Sequence, residues 1–206
     1  GAPPPLPLFA DAHRLLDADA AAARSVYDRA DERHAEEPAV VEVDDEDDEA
    51  ERDLLGEMEI TGRLMITGGD PKEEAEFRRA DRRLVRDAIY RAARATYEAD
   101  RQCLAEDVRT ALYAIARDPD LPEARRAKAH DMAESMGLFC DGFDGQVFNS
   151  PGQAWPECDV TVVDLAHYAR DGYEAQLALS VISLTNIIMG IAERDQSSDR
   201  AIIQAI

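Results

Sequence analysis

An apolar stretch near the end of the sequence, residues 173–192, constrains the fold more than any other feature. Its aliphatic side chains fall almost all round a helical projection, and a helix that is apolar on most sides is buried on most sides. The β-branched run VTVV at residues 160–163, which ends at Asp164, and the run AIIQAI at residues 201–206 are both typical of buried strands. A strand, a buried helix and a second strand in this order predict a βαβ unit of a parallel sheet.

Upstream of this unit, residues 49–137 show the apolar spacing of four helices joined by short turns. The first helix is expected to stop at Gly68-Gly69, because glycine commonly follows a helix end. Asp70 followed by Pro71 is a typical start for the second. The four helices are predicted at residues 49–67, 71–99, 104–117 and 121–136. Together they indicate a small all-α subdomain.

The other segments carry weaker patterns. Residues 138–149 mix aromatic residues with glycines, which predicts a tight turn or short hairpin. Residues 42–53 hold nine acids and one base, which favours a solvated linker over a calcium-binding loop. The predicted fold class is therefore mainly α with a small β part. Its three parts are residues 1–48, an extended and helical segment with an acidic linker; residues 49–137, the all-α subdomain; and residues 138–206, part of an α/β core.

The composition excludes several classes of function. The chain carries 44 acidic and 23 basic residues, a net charge of −21, so nucleic acid is not an expected partner. Its three cysteines and four histidines lack the spacing of metal ligands, and it contains no phosphate-loop, nucleophile-elbow or zinc-protease motif. No catalytic, cofactor-binding or metal-binding residue is predicted. The most apolar window, residues 177–192, is shorter than the roughly 20 residues of a membrane span, so no transmembrane segment is expected.

Five arginines share one face of the second predicted helix: Arg78, Arg79, Arg82, Arg83 and Arg86. Such a face binds a phosphate backbone or an acidic partner. Alternatively it is solvated and paired with acids of the same helix, such as Asp81 and Asp87. The acidity of the chain favours the second interpretation, and these arginines form the candidate interaction face.

Six stretches, agreeing in order along the chain, resemble the conjugative transfer ATPases of type IV secretion systems, in particular the long ATPases of integrative conjugative elements. They are FADAHRLL at residues 9–16, ERDLLGEME at 51–59, RADRRL at 79–84, GLFCDGF at 137–143, DVTVVDLA at 159–166 and GYEAQL at 172–177. The resemblance covers most of residues 9–206. It implies a RecA-like ATPase core with an all-α insertion, in which residues 49–137 are the insertion and residues 158–206 the return to the core sheet.

The resemblance also implies what the chain lacks. The phosphate loop of the family would precede residue 1, and its paired Asp-Glu would follow a strand like residues 201–206, so Asp164 is not the magnesium ligand. The chain is thus expected to be an internal fragment that does not hydrolyse ATP alone, with ATP and magnesium bound by the full-length protein. That protein is expected in the cytoplasm, peripheral to the inner membrane, powering DNA transfer and assembly of the apparatus. Other secretion subunits, or further copies of the chain, are the implied partners. The alternative is a self-standing acidic α-helical adaptor without enzymatic activity.

Overall fold

The computed structural model describes residues 8–16, 45–152 and 161–195, and places them in a mainly helical arrangement. A short 3-10 helix spans Ala10–His13. Seven α-helices follow in the described ranges: α1 Asp45–Thr67, α2 Pro71–Glu76, α3 Arg79–Glu98, α4 Ala105–Ala116, α5 Glu123–Cys140, α6 Gly142–Phe148 and α7 Glu174–Asp195. None of the described helices is both long and apolar enough to cross a membrane.

The core lies between α1, α3, α4 and α5, whose apolar faces meet at helical spacing. α5 packs against α4, α1 and α6, and α1 also contacts α3 and α7. The 3-10 helix packs on α3, and Phe9 and Leu15, which flank it in sequence, are both buried. The continuous buried cluster draws on all three predicted segments, since it includes Phe9, Leu112 and Leu179. The division of the chain at residues 48 and 137 stays a prediction.

The second predicted helix, residues 71–99, is wrong as a single element, because the structure divides it into α2 and α3. Asp70 caps α2 as expected, since its Oδ1 accepts hydrogen bonds from the backbone N–H of Lys72 at 2.7 Å and of Glu73 at 3.3 Å. The chain is extended at Phe77 and Arg78, and a new helix begins at Arg79. No glycine or proline marks this break, so helical spacing alone did not reveal it.

The turn or hairpin predicted at residues 138–149 is also wrong, because α5 runs to Cys140 and α6 occupies Gly142–Phe148. Gly142 has a positive φ of 64° where the chain turns from α5 into α6, and Gly145 serves close packing. A Cβ at Gly145 would lie only 2.3 Å from the carbonyl oxygen of Cys140. Asn149 then fixes the end of α6, since its side chain donates to the Cys140 carbonyl at 3.2 Å and accepts from the Glu106 backbone N–H at 2.9 Å.

The small β part is not observed in the described residues, where no strand occurs. The strand predicted at residues 160–164 is wrong for residues 161–164, which form a loop with Val162 86% and Val163 39% exposed. A strand needs a neighbour for its backbone hydrogen bonds, and here Asp164 instead accepts from the Ala166 N–H at 2.8 Å and opens a turn. Residue 160 and the second predicted strand, residues 201–206, lie outside the described residues.

The predicted buried helix exists as α7 but is covered on one face only. Ala175, Leu179, Ser180 and Ser183 are buried. On the other side Val181 is 49% and Met189 52% exposed. The strand–buried helix–strand unit is therefore reduced, in the described part of the chain, to a half-covered helix that follows a loop.

An aromatic cluster holds the start of α7 against α6. Tyr168 is buried, and its ring lies 5.3 Å from that of His167, 6.1 Å from that of Phe148 and 6.1 Å from that of Tyr173. Ring pairs at such separations stabilise packing beyond the area they bury. The exposed loop before α7 is thus attached to the helical core through its last residues.

Candidate interaction surface

The beginning of α3 orients the first of the predicted arginines. The carboxylate of Asp81, three residues into the helix, accepts a hydrogen bond from the backbone N–H of Arg78 at 2.9 Å. This bond satisfies one of the donors that a helix start leaves without an intrahelical partner. It also fixes Arg78 and Arg79 at the amino end of α3, facing the first half of α5.

The starts of α3 and α5 line an open groove of about 1190 Å³, which we call the basic groove. Its charged lining residues are Arg78, Arg79 and Arg83 at the start of α3, Arg125 and Lys128 on α5, and the two acids Glu76 and Asp81. Three alanines and Leu84 line the rest of the groove.

Most cations of the basic groove have no acidic partner. Arg125 donates to the carboxylate of Asp87 at 2.9 Å. Arg78, Arg79, Arg83 and Lys128 form no ion pair with any residue in the described ranges. Of the two lining acids, Asp81 is already engaged by the Arg78 backbone. The groove is therefore a positive surface on a chain of net charge −21.

The other two predicted arginines serve a different purpose. Arg86 donates through Nε to Glu59 of α1 at 2.5 Å, and Arg82 lies 3.6 Å from the other oxygen of the same carboxylate. Glu59 is only 6% exposed, and these two guanidinium groups are the ion-pair partners of its carboxylate. The structure thus separates the five arginines into three that line the basic groove and two that join α3 to α1.

Sequence reasoning missed the contribution of α5. Arg125 and Lys128 lie in the run EARRAKAH at residues 123–130, which is the most basic short segment after α3. That concentration was visible in the sequence. Its proximity to Arg79 and Arg83 was not, because it depends on how α5 packs beside α3.

The cysteines offer no reactive site in the described part of the chain. Burial raises the pKa of the Cys103 thiol to about 12, and burial together with the charge of Glu106 does the same at Cys140. The described residues also contain no cluster of three histidine, cysteine or acidic side chains that would hold a metal ion. The basic groove is the candidate functional site.

Comparison of the chain with protein-family models, with curated proteins and with solved structures gave no match.

Proposed function

We propose that this chain is a helical interaction part of a conjugative transfer ATPase and that it binds an acidic segment of a neighbouring protein in the basic groove. The observation that carries the proposal is the set of unpaired cations at the start of α3 and on α5, on a chain that is otherwise strongly acidic. Arginine side chains form bidentate, charge-assisted hydrogen bonds with carboxylates. The groove therefore suits a short run of aspartates or glutamates.

The same charges favour a protein segment over nucleic acid. A short acidic peptide need touch only the basic groove, whereas a nucleic-acid strand continues beyond it onto the remaining surface of a chain of net charge −21. Repulsion between that surface and the phosphates opposes binding. An acidic segment of another secretion subunit, or of a second copy of this chain, is therefore the proposed partner.

The place in a secretion ATPase rests on the sequence resemblance, and one structural observation supports it. Nine large hydrophobic residues of the described part are exposed, and seven of them lie at or after residue 138: Leu138, Phe143, Val162, Val163, Val181, Ile188 and Met189. Cover by another part of a larger protein would account for this concentration of exposed apolar residues along the sequence. We propose that residues 138–206 return to a RecA-like sheet that provides this cover in the full-length protein.

ATP and magnesium belong, in this proposal, to other parts of the full-length protein. The sequence has no phosphate-loop motif, and the carboxylate of Asp164 is engaged by the Ala166 backbone in an exposed turn. The full-length protein is proposed to act in the cytoplasm, at the inner membrane. The second candidate, a self-standing acidic adaptor, uses the same groove. A phosphate loop and a strand with Asp-Glu flanking this segment in its gene would exclude the adaptor, and their absence would exclude the ATPase.

The groove is tested by titrating the protein, at low and rising salt, with a fluorescent oligoglutamate peptide and with an oligothymidylate of equal charge. The peptide is expected to bind, and Arg83→Gln and Arg79→Gln are expected to weaken binding about tenfold each, since each removes a charge-assisted hydrogen bond. Arg82→Gln is the matched control, because Arg82 is adjacent in sequence but faces Glu59. Equal losses for Arg82→Gln and Arg83→Gln, tighter binding of the oligonucleotide, or no binding of either probe would each overturn the proposal.

A further inference from the structure

A second pocket lies on the opposite side of α5 from the basic groove. It has a volume of about 440 Å³ and opens between the end of α4 and the first half of α5. Its polar lining consists of Tyr113, Arg117, Glu123, Arg126 and His130. Arg125 and Lys128 line the groove while Arg126 and His130 line this pocket, so α5 separates the two sites.

Tyr113 arranges the cationic side chains of the pocket. The guanidinium carbon of Arg117 lies 5.8 Å from the centre of the Tyr113 ring, within the range of a cation–π contact. The His130 ring meets the same tyrosine edge-on, at 5.7 Å between centres. The Tyr113 hydroxyl is itself held by a hydrogen bond to Glu134. Arg117 and His130 are therefore positioned before any ligand arrives.

The donors of this pocket lack acceptors. Neither Arg117 nor Arg126 forms an ion pair with a residue that the structure describes. The Nε of Arg126 is buried and has no hydrogen-bond partner. A buried donor without an acceptor is unfavourable and is rare in folded proteins. Arg117 is exposed and Arg126 half-buried, so both guanidinium groups can bind a negatively charged ligand that enters the pocket.

We propose that this pocket binds the phosphoryl group of a small molecule. Two guanidinium groups present several N–H donors in planar forks that match the oxygens of a phosphoryl group, and His130 supplies a further ring N–H. Glu123 provides an acceptor at the same pocket, which suits an ammonium or hydroxyl group on the organic part of a phosphate ester. The proposal does not rest on the function of the basic groove.

The experiment is a titration of the protein with inorganic phosphate and with O-phosphoethanolamine at constant ionic strength, followed by the NMR signal of the Arg126 Nε–H group. Saturable shifts are expected for the phosphoryl probes, and sodium chloride alone should leave the signal unmoved. Tighter binding of O-phosphoethanolamine identifies an ester as the ligand, and equal or weaker binding identifies free phosphate. Either result supports the shared chemistry.

Three variants make the test specific. Arg126→Gln and Arg117→Gln should each weaken binding about tenfold. Calorimetry or the shifts of backbone amide signals measure the affinity of these variants. Arg94→Gln, on an exposed part of α3 and not among the residues that line the pocket, removes the same charge and should leave affinity unchanged. If Arg126→Gln perturbs folding, Arg126→Lys keeps the charge and should bind with intermediate affinity. Absence of saturable binding, or an equal loss in Arg94→Gln, would refute the site.

Discussion

Gly145 marks a position where the packing of two helices leaves no room for a side chain. A Cβ there would meet the Cys140 carbonyl oxygen at 2.3 Å, which is backbone and cannot rotate away. Gly145→Ala should therefore lower the free energy of unfolding by about 1–3 kcal/mol, as overpacking does. Urea unfolding followed by circular dichroism measures it.

Gly56 provides the matched control for this substitution. It also lies in a helix, α1, but a Cβ there would meet nothing within 4 Å. Gly56→Ala should raise the free energy of unfolding by about 0.5–1 kcal/mol, because alanine restricts the unfolded chain and favours helix. Similar effects of the two substitutions would show that α6 does not pack against Cys140 as closely as described.

The buried thiols of Cys103 and Cys140 make the stability of the folded protein depend on pH. Because burial raises the pKa of Cys103 and Cys140 to about 12 from an ordinary value of 9.0, these thiols stay neutral in the folded protein while the unfolded chain ionises. Above pH 9.0 the unfolded state then binds fewer protons, so these thiols make stability fall as pH rises toward about 12.

In a Cys158→Ser background, which leaves only these two thiols, neither should react with a disulfide reagent at about pH 8, and both should react once urea unfolds the protein. Replacing Cys103 by alanine should make the fall in unfolding free energy above about pH 9 less steep. Rapid labelling of the folded protein would contradict the burial of these side chains.

At the scale of the element, the stability of α3 depends on the hydrogen bond between the Arg78 backbone N–H and the Asp81 carboxylate at its start. Asp81→Ala removes the acceptor of the Arg78 N–H and the negative charge near the helix start, and should lower the free energy of unfolding by about 1 kcal/mol. Asp131→Ala is the control, because Asp131 is exposed within α5, and surface changes of this kind stay within about 0.5 kcal/mol. Equal denaturation midpoints for the two variants would count against a capping role.

The existence of most helices was predictable from the sequence. The break before α3, the helix α6 and the loop at residues 161–164 were not, and the reasons are physical. Asp70 and the glycines after α1 mark helix ends through local chemistry, so they were read correctly. The start of α3 depends on a side chain that reaches back three residues, and α6 depends on the contact of Gly145 with Cys140. Val162 was misread because β-branched residues indicate strand preference, whereas burial of a strand depends on a neighbouring strand.

The candidate site was predictable only in part. Helical spacing placed the five arginines on one face of α3, but it did not separate Arg83, which lines the groove, from Arg82, which lies near Glu59. That separation depends on which helices flank α3. Lys128 on α5 was not predicted as part of the site, because its position beside α3 depends on packing between elements that are distant in sequence.

At the scale of the whole molecule, the excess of acids opposes compaction. A net charge of −21 on 206 residues repels itself, and salt screens this repulsion over a distance that falls from about 30 Å at 0.01 M to about 8 Å at 0.15 M. The melting temperature should therefore rise between these two salt concentrations, as calorimetry would show. A fall with added salt would mean that ion pairs such as Arg86 with Glu59 outweigh the repulsion.

Neighbouring arginines of α3 have different roles, and this affects how the sequence of the protein can change during evolution. Along α3, Arg82 and Arg86, which pair with Glu59 of α1, alternate with Arg79 and Arg83, which line the basic groove. If the basic groove binds an acidic partner as proposed, a lineage can exchange Arg79 and Arg83 to follow changes in that partner, while Glu59 and its two arginines keep α3 attached to α1. Recognition and folding are free to evolve at different rates on the same twenty-residue helix.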